Sequence, residues 1–157
     1  MLERTLIILK PDAVQRALVG KIMSRFEEKG LQLVGMKMLM ITPELAAQHY
    51  APHLGKPFYE PLVRFMTSAP VIVMCLQGKG AIDVARKMMG ATFGFKAEPG
   101  TIRGDFGVSS TFNLIHGSDS PESAKSELAL WFKPEELTNY DLANRVWTYD
   151  FSSGSPA

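Results

Sequence analysis

The stretch Phe112-Asn113-Leu114-Ile115-His116-Gly117-Ser118-Asp119-Ser120-Pro121-Glu122 reads as a strand running directly into a helix. Phe112 to His116 is apolar apart from Asn113 and closes on a histidine. Ser120-Pro121 then supplies an N-cap and a proline at the first helical position, opening a helix to about Trp131. A last strand placed here completes an alternation that begins at the N-terminus. Thr5 to Lys10 is a buried strand ended by Pro11. Val19, Ile22, Met23 and Phe26 keep helical spacing, and Gly30 is a natural stop. Leu31 to Ile41 is the second strand, with Val34, Met36, Met38 and Met40 expected on one face.

Thr42-Pro43-Glu44 caps a short helix reaching about Tyr50, and Pro57 to Thr67 forms another. Val71 to Leu76 is a third strand, and Ala81 to Met89 a helix closed by Gly90. Ala91 to Thr111 has no clear period and reads as a long loop rich in Gly and Thr. The order is β-α-β-β-α-β: an α+β, ferredoxin-like antiparallel sheet with helices packed on it, plus a long loop and a C-terminal extension. In that extension Trp147, Tyr149 and Phe151 alternate, and exposed aromatics of this kind suggest docking onto a neighbouring subunit.

A chain of 157 residues suits one domain over 1–157, with residues 152–157 expected as a frayed tail. A hydrophobic content of 46% and a charged content of 21% exclude disorder. The net charge of +1 gives no global case for nucleic acid. Cys75 is the only cysteine and sits in an apolar run, so it reads as a buried thiol in a reducing, cytoplasmic setting. No apolar run is long enough for a membrane span.

Several polar residues sit where a bland reading is strained. His116 lies against Gly117, where a ligand can come close, and just before a helix N-terminus whose free N–H groups favour anions. The alternative is a histidine hydrogen-bonded in a core. Glu127 flanks the inward face set by Ala124, Leu128 and Trp131, so it needs a partner such as His116 or Ser118 unless its stem snorkels to water. Arg86 falls inside the inward arc of its helix, which suggests a bound anion or a structural ion pair. Arg103, in Gly100-Thr101-Ile102-Arg103-Gly104-Asp105, shares the long loop with Thr92 and can cradle phosphate, or else pairs with Asp105. Because that loop reads as exposed, Arg103→Ala is expected to leave the fold intact. Lys10 ends the first strand, where a side chain can be aimed at a site. His49 and His53 are spaced like metal ligands, but Pro52 interrupts the helix and no further ligands accompany them. There is no P-loop and no dinucleotide fingerprint.

The segment Asn113 to Ser120, taken with Lys10-Pro11-Asp12, Gln15-Arg16, His49-Tyr50, Lys56-Pro57-Phe58 and Pro99 to Phe106, resembles the nucleoside diphosphate kinase family from about Glu3 to Tyr149. The resemblance implies a ping-pong transfer of the γ-phosphate from a nucleoside triphosphate to a nucleoside diphosphate, balancing nucleotide pools. His116 is then the nucleophile through Nδ1, with its other nitrogen on the Gly117 carbonyl and Glu127, steadied by Ser118, orienting the ring. A neutral imidazole needs no separate base. Arg86, Thr92 and Arg103 match phosphate-binding positions. Lys10 and Tyr50 match positions near the transferred phosphate, and Lys10 with Asn113 those that hold the sugar. His53 is placed to touch phosphate, and Phe58 to stack on the base beside Leu62. Mg²⁺ is implied, held mainly by nucleotide phosphates and by no protein ligand. The tail through Trp147 resembles that of hexameric members.

The chain departs from the family pattern at Ser110, Thr111-Phe112 and Phe93-Gly94-Phe95, and alanine replaces frequent glycine at Ala13 and Ala17. Alanine at those two positions argues against a positive φ. The rival readings are a histidine phosphocarrier to proteins and a non-catalytic binding module.

Overall fold

The computed structural model describes residues 1–157. Four strands form one sheet: β1 (Glu3–Leu9), β2 (Gln32–Leu39), β3 (Val71–Gly78) and β4 (Ile115–Gly117), in the order β2-β3-β1-β4. Every neighbouring pair is antiparallel. This is the ferredoxin-like arrangement that the β-α-β-β-α-β order predicts. β1 lies in the middle and is buried from Thr5 to Leu9, which is why it reads as a continuous apolar run.

The sheet separates two cores. On one face α2 (Val19–Glu28) and α5 (Ala81–Met89) bring Ile22, Phe26, Ala85 and Met89 onto Ile7, Leu9, Met74 and Leu76. The other face carries Leu6, Ile8, Val73 and Cys75. They pack with Ala46 of α3 (Pro43–His49), Met66 of α4 (Tyr59–Met66) and Trp131 of α7 (Pro121–Trp131). Full burial of such side chains contributes about 1.5–3 kcal/mol each. Thr42 caps α3 by accepting from Leu45 N, and Ser120 with Ser123 forms a reciprocal capping box on α7. Both are the starts that the Ser/Thr-Pro pairs predict.

Four expectations change. Two short helices lie where the sequence shows only strand ends and loop: α1 (Pro11–Gln15) and α6 (Ile102–Phe106). Each is five residues long, too short for a 3.6 period to emerge. Val34 does not share a face with the methionines. A bulge between Leu33 and Gly35 resets the alternation, so Val34 is buried whereas Met36 and Met38 on this edge strand, and Met40 just after it, are exposed. The fourth strand begins at Ile115 and not at Phe112, because Leu114 takes φ +70°. In the extension Arg145–Thr148 is a helical turn, α8, so the alternation of Trp147, Tyr149 and Phe151 is not that of a strand. Tyr149 and Phe151 are partly buried against their own chain, whereas Trp147 is 90% exposed.

Ala13 is helical and buried, as alanine there suggests, but Ala17 adopts φ +55° between α1 and α2. The left-handed region strains any residue with a Cβ. Ala17→Gly is therefore expected to raise stability by about 1 kcal/mol, the relieved strain outweighing glycine's greater unfolded-state freedom. Urea denaturation of the two proteins checks this, and an unchanged or lower midpoint would contradict it.

Candidate active site

The end of β1, the end of α3, α4, α5, α6 and β4 converge on a cavity of about 200 Å³. Lys10, Tyr50, His53, Leu62, Arg86, Thr92, Arg103, Asn113 and His116 all line it, although they are scattered over the chain. Of the expected residues, Glu127 and Ser118 lie behind His116. Phe58 stands at the rim, 48% exposed, with its ring edge-on to His53 at 5.3 Å.

His116 is the middle residue of β4. Its Nε2–H donates to Glu127 Oε2 at 3.1 Å, and Ser118 Oγ donates to the same oxygen at 2.7 Å. Ser118 is fully buried and its Oγ also accepts from Leu6 N, which ties the pair to the central strand. Burial pushes the Glu127 carboxyl up, but the His116 hydrogen bond and charge, with Ser118, outweigh it and hold the group below its ordinary value. An ionised Glu127 places the imidazole proton on Nε2 and leaves the lone pair on Nδ1, which has no hydrogen-bond partner in the protein. The expected bond from His116 to the Gly117 carbonyl is not formed. Arg86 Nη1 takes that carbonyl at 3.0 Å, so arginine and histidine divide the two acceptors between them.

Lys10 Nζ donates to Asn113 Oδ1 at 2.7 Å, and Asn113 Nδ2 donates to the Thr92 carbonyl at 2.9 Å. Burial, followed by the Arg103 charge, presses the Lys10 ammonium down to about 8, with Asp12 opposing. Tyr50 is buried and its phenol is pushed up, first by burial and then by Glu127, so it stays protonated and able to donate.

Arg103 is not on an exposed loop. It belongs to α6, is 5% exposed, and donates to three backbone carbonyls: Asn113 from Nε, Gly90 from Nη1 and Ile115 from Nη2. Burial and Arg86 press its pKa down to about 10, which leaves it a cation at neutral pH. Asp105, its suggested surface partner, pairs instead with Arg25 at 2.5 Å. The turn before Arg103 is tight. A Cβ on Gly104 would fall 1.8 Å from the Glu98 carbonyl, so only glycine fits there.

Two further residues at the site carry little sequence signal. Asp12 is read only as part of Lys10-Pro11-Asp12, yet its Oδ2 accepts from Leu114 N at 3.1 Å and so holds the left-handed turn before β4. His49 is weighed only against His53. His49 instead packs edge-on against His116, with ring centroids 4.9 Å apart, and accepts from Trp131 Nε1 at 3.0 Å. Its position at the last residue of a capped helix, next to Tyr50, was the available clue. Among the departures, Phe112 stacks on Phe65 of α4 at 4.4 Å, pinning the segment before Asn113, while Phe93 and Phe95 stack loosely at 6.2 Å on the surface.

A histidine oriented by a half-buried carboxylate, facing a cavity that holds a lysine and two arginines, defines a phosphoryl-transfer enzyme on a ferredoxin-like sheet. The family model described as nucleoside diphosphate kinase matches residues 3–137. The chain is 55% identical over 148 residues to a nucleoside diphosphate kinase of Bacillus cereus, covering 94% of this chain and 100% of that one. It is 56% identical over 149 residues to one of Carboxydothermus hydrogenoformans, covering 95% and 100%. Among solved structures it superposes with a TM-score of 0.93 on a halophilic nucleoside diphosphate kinase from Halobacterium salinarum in complex with CDP, at 47% identity over 96% of this chain and 100% of that one. The chain belongs to the nucleoside diphosphate kinase family.

Two outcomes follow from this geometry. Arg103→Ala leaves three inward carbonyls without their donor and should cost at least about 2 kcal/mol of stability. Urea denaturation measures that loss, and an unchanged midpoint would show that the guanidinium is not structural. Lys10 loses its proton at about 8 in the folded protein, against an ordinary 10.5. Between these values the unfolded chain binds more protons, so this group adds stability as pH rises through the window. Over the same rise the cavity loses a cation, so kcat/KM for nucleotide should fall above about pH 8. The Lys10→Gln variant should be lower throughout and lack that limb; a wild-type profile still flat at pH 9.5 would remove Lys10 from the site.

Proposed function

We propose that this chain carries the phosphoryl group on His116 between two nucleotides that occupy the cavity in turn. The observation that supports the reading most is the tautomer: Nε2–H held by Glu127, which Ser118 steadies, and Nδ1 unengaged. Nδ1 attacks the γ-phosphorus of a nucleoside triphosphate. An N–P bond forms, the bond to the β-bridging oxygen breaks, and the diphosphate leaves with that electron pair. A second diphosphate then attacks the phosphohistidine through a terminal oxygen, and the same electron pair returns to Nδ1. The ring becomes more cationic as it is phosphorylated, and the ionised Glu127 stabilises that charge without accepting the proton outright.

Arg86, Arg103, Thr92 and His53 are assigned to the phosphates, with Tyr50 donating near the transferred group. Lys10 and Asn113, already bonded to each other, are assigned to the sugar and the adjacent phosphate. Phe58 at the rim stacks on the base, with Leu62 below it. A ring face reads no hydrogen-bond edge, so tolerance of many bases follows. The presence of CDP in the Halobacterium salinarum structure supports a nucleotide in this cavity.

Mg²⁺ is assigned to the nucleotide and not to protein ligands. Of the carboxylates nearby, Glu127 is engaged by His116 and Ser118 and Asp119 by Ser123, while Asp12 is buried and held through Oδ2 by Leu114 N, its Oδ1 unpaired. Bound to the phosphates, the ion would screen their charge. A homo-hexamer is supported by apolar surface at Met36 and Met38 on the edge strand, at Met40 just after it, and by Trp147. A cytoplasmic setting is supported by the unpaired, buried Cys75, and no helix is long and apolar enough to cross a membrane.

Incubation with γ-labelled ATP and Mg²⁺, followed by a chase with CDP or GDP, tests the mechanism. The label is expected to be acid-labile and base-stable, to pass to either diphosphate, and to be absent from His116→Ala. Label that ignores nucleotides would make the protein a phosphocarrier, and no label on a folded protein would make it a binding module. Light scattering tests assembly: a monomeric mass would rule out the hexamer.

A further inference from the structure

One ring nitrogen of His49, one of His116 and a carboxylate oxygen of Glu127 lie within 4.8 Å of one another. Two imidazoles and a carboxylate at this spacing are a ligand set suited to a transition metal, zinc above all. A metal held there would engage the imidazole that the proposed reaction needs free. Protons offer no protection against it. His49 accepts a hydrogen bond on one ring nitrogen, so its ring is neutral and able to ligate.

What closes the set is a further neighbour of His49. The Trp131 indole N–H donates to His49 Nδ1 at 3.0 Å, and indole nitrogen can only donate. Nδ1 must therefore be the unprotonated nitrogen, and the single proton of the neutral ring sits on Nε2. Neither nitrogen is then open to a metal: one lone pair is occupied by the indole, and the other nitrogen carries hydrogen. A metal-ligating histidine needs the reverse arrangement, its remote nitrogen donating to a carbonyl or carboxylate. Trp131 and Glu127 stand one helical turn apart on α7, so the same helix that presents the carboxylate also presents the indole. His49 is held between them at the end of α3.

We propose that Trp131 is a positioning residue that locks His49 in its Nε2–H tautomer and so shuts the His49–His116–Glu127 set to transition-metal ions. The lock also aligns an uncharged ring edge-on to His116, at 83° between the ring planes, which limits the orientations open to the proposed nucleophile. The value of the lock to catalysis rests on the role proposed for His116, but its existence does not, and it is read out without nucleotide.

The test is zinc binding by the full chain, measured in competition with a chromophoric chelator. Trp131→Phe keeps an aromatic ring and removes the donor, which frees Nδ1. This variant should bind one zinc ion per chain at least about tenfold more tightly than wild type, as expected for a change in a ligand's outer partner. The added His49→Gln change should abolish the gain. A folded Trp131→Phe protein with unchanged zinc affinity overturns the proposal, as does a gain indifferent to His49. Trp131 is a core residue, and its variant can fail to fold. Long-range proton–nitrogen NMR on the wild-type protein then decides: an Nε2–H signal for His49 supports the lock, and an Nδ1–H signal overturns it.

Discussion

The buried guanidinium of Arg103 and the turn it supports are the constraint on which the site depends. Leu114 sits at φ +70°, fully buried, directly before the strand that carries His116. A branched side chain does not rest there unaided, because the left-handed region costs roughly 1–2 kcal/mol for any residue with a Cβ. The surroundings hold it from both sides. Asp12 accepts from Leu114 N, Lys10 N donates to Leu114 O at 2.8 Å, and Arg103 gathers the carbonyls of Asn113 and Ile115. The reversed turn leaves Asn113 bridging Lys10 and Thr92 while His116 enters the sheet beside Ile8. A relaxed strand from Phe112 onward would carry these side chains past one another on alternate faces.

The charge arrangement follows from the same packing. Three cations, Lys10, Arg86 and Arg103, stand around the cavity with few acidic groups to balance them. Lys10 and Arg103 bear the consequence as lowered pKa values, caused first by burial and then by a neighbouring arginine. Such a site is uncomfortable when empty and is relieved by a polyanion, so its electrostatics favour a nucleotide's phosphates over a neutral ligand. The one committed carboxylate, Glu127, lies behind the histidine and not among the cations. It can therefore orient the imidazole without neutralising the phosphate subsite.

The departures from the family pattern remain outside this machinery. Phe112 and Phe65 stack nearly parallel, which fastens the segment leading to Asn113 onto α4. Phe93 and Phe95 lie on the surface with Lys96 over both rings. Neither pair displaces a residue assigned to the phosphates or to His116.

Local physical chemistry made much of this legible from the chain alone. Continuous apolar runs mark β1 and β3, which are buried on both faces, and period-3.6 apolar spacing marks α2, α5 and α7, because burial on one side of a helix imposes that period whatever the rest of the fold does. The Thr42-Pro43 and Ser120-Pro121 starts are readable because a cap is satisfied within one turn. The inward tilt of Glu127 follows from its position on a helix face, and the Asn113 to Ser120 run identifies the family. Tertiary structure decided the rest. Helices of five residues leave no period, and a bulge at Val34 shifts a whole strand face without changing composition. The positive φ of Leu114, the burial of Arg103, and the choice of Glu127 over the Gly117 carbonyl by His116 all depend on partners 10 to more than 100 residues away in sequence. So does the tautomer of His49, set by an indole 82 positions further along the chain. Hydrogen bonds between distant segments exist only once the sheet has brought those segments together, and no local spacing encodes them.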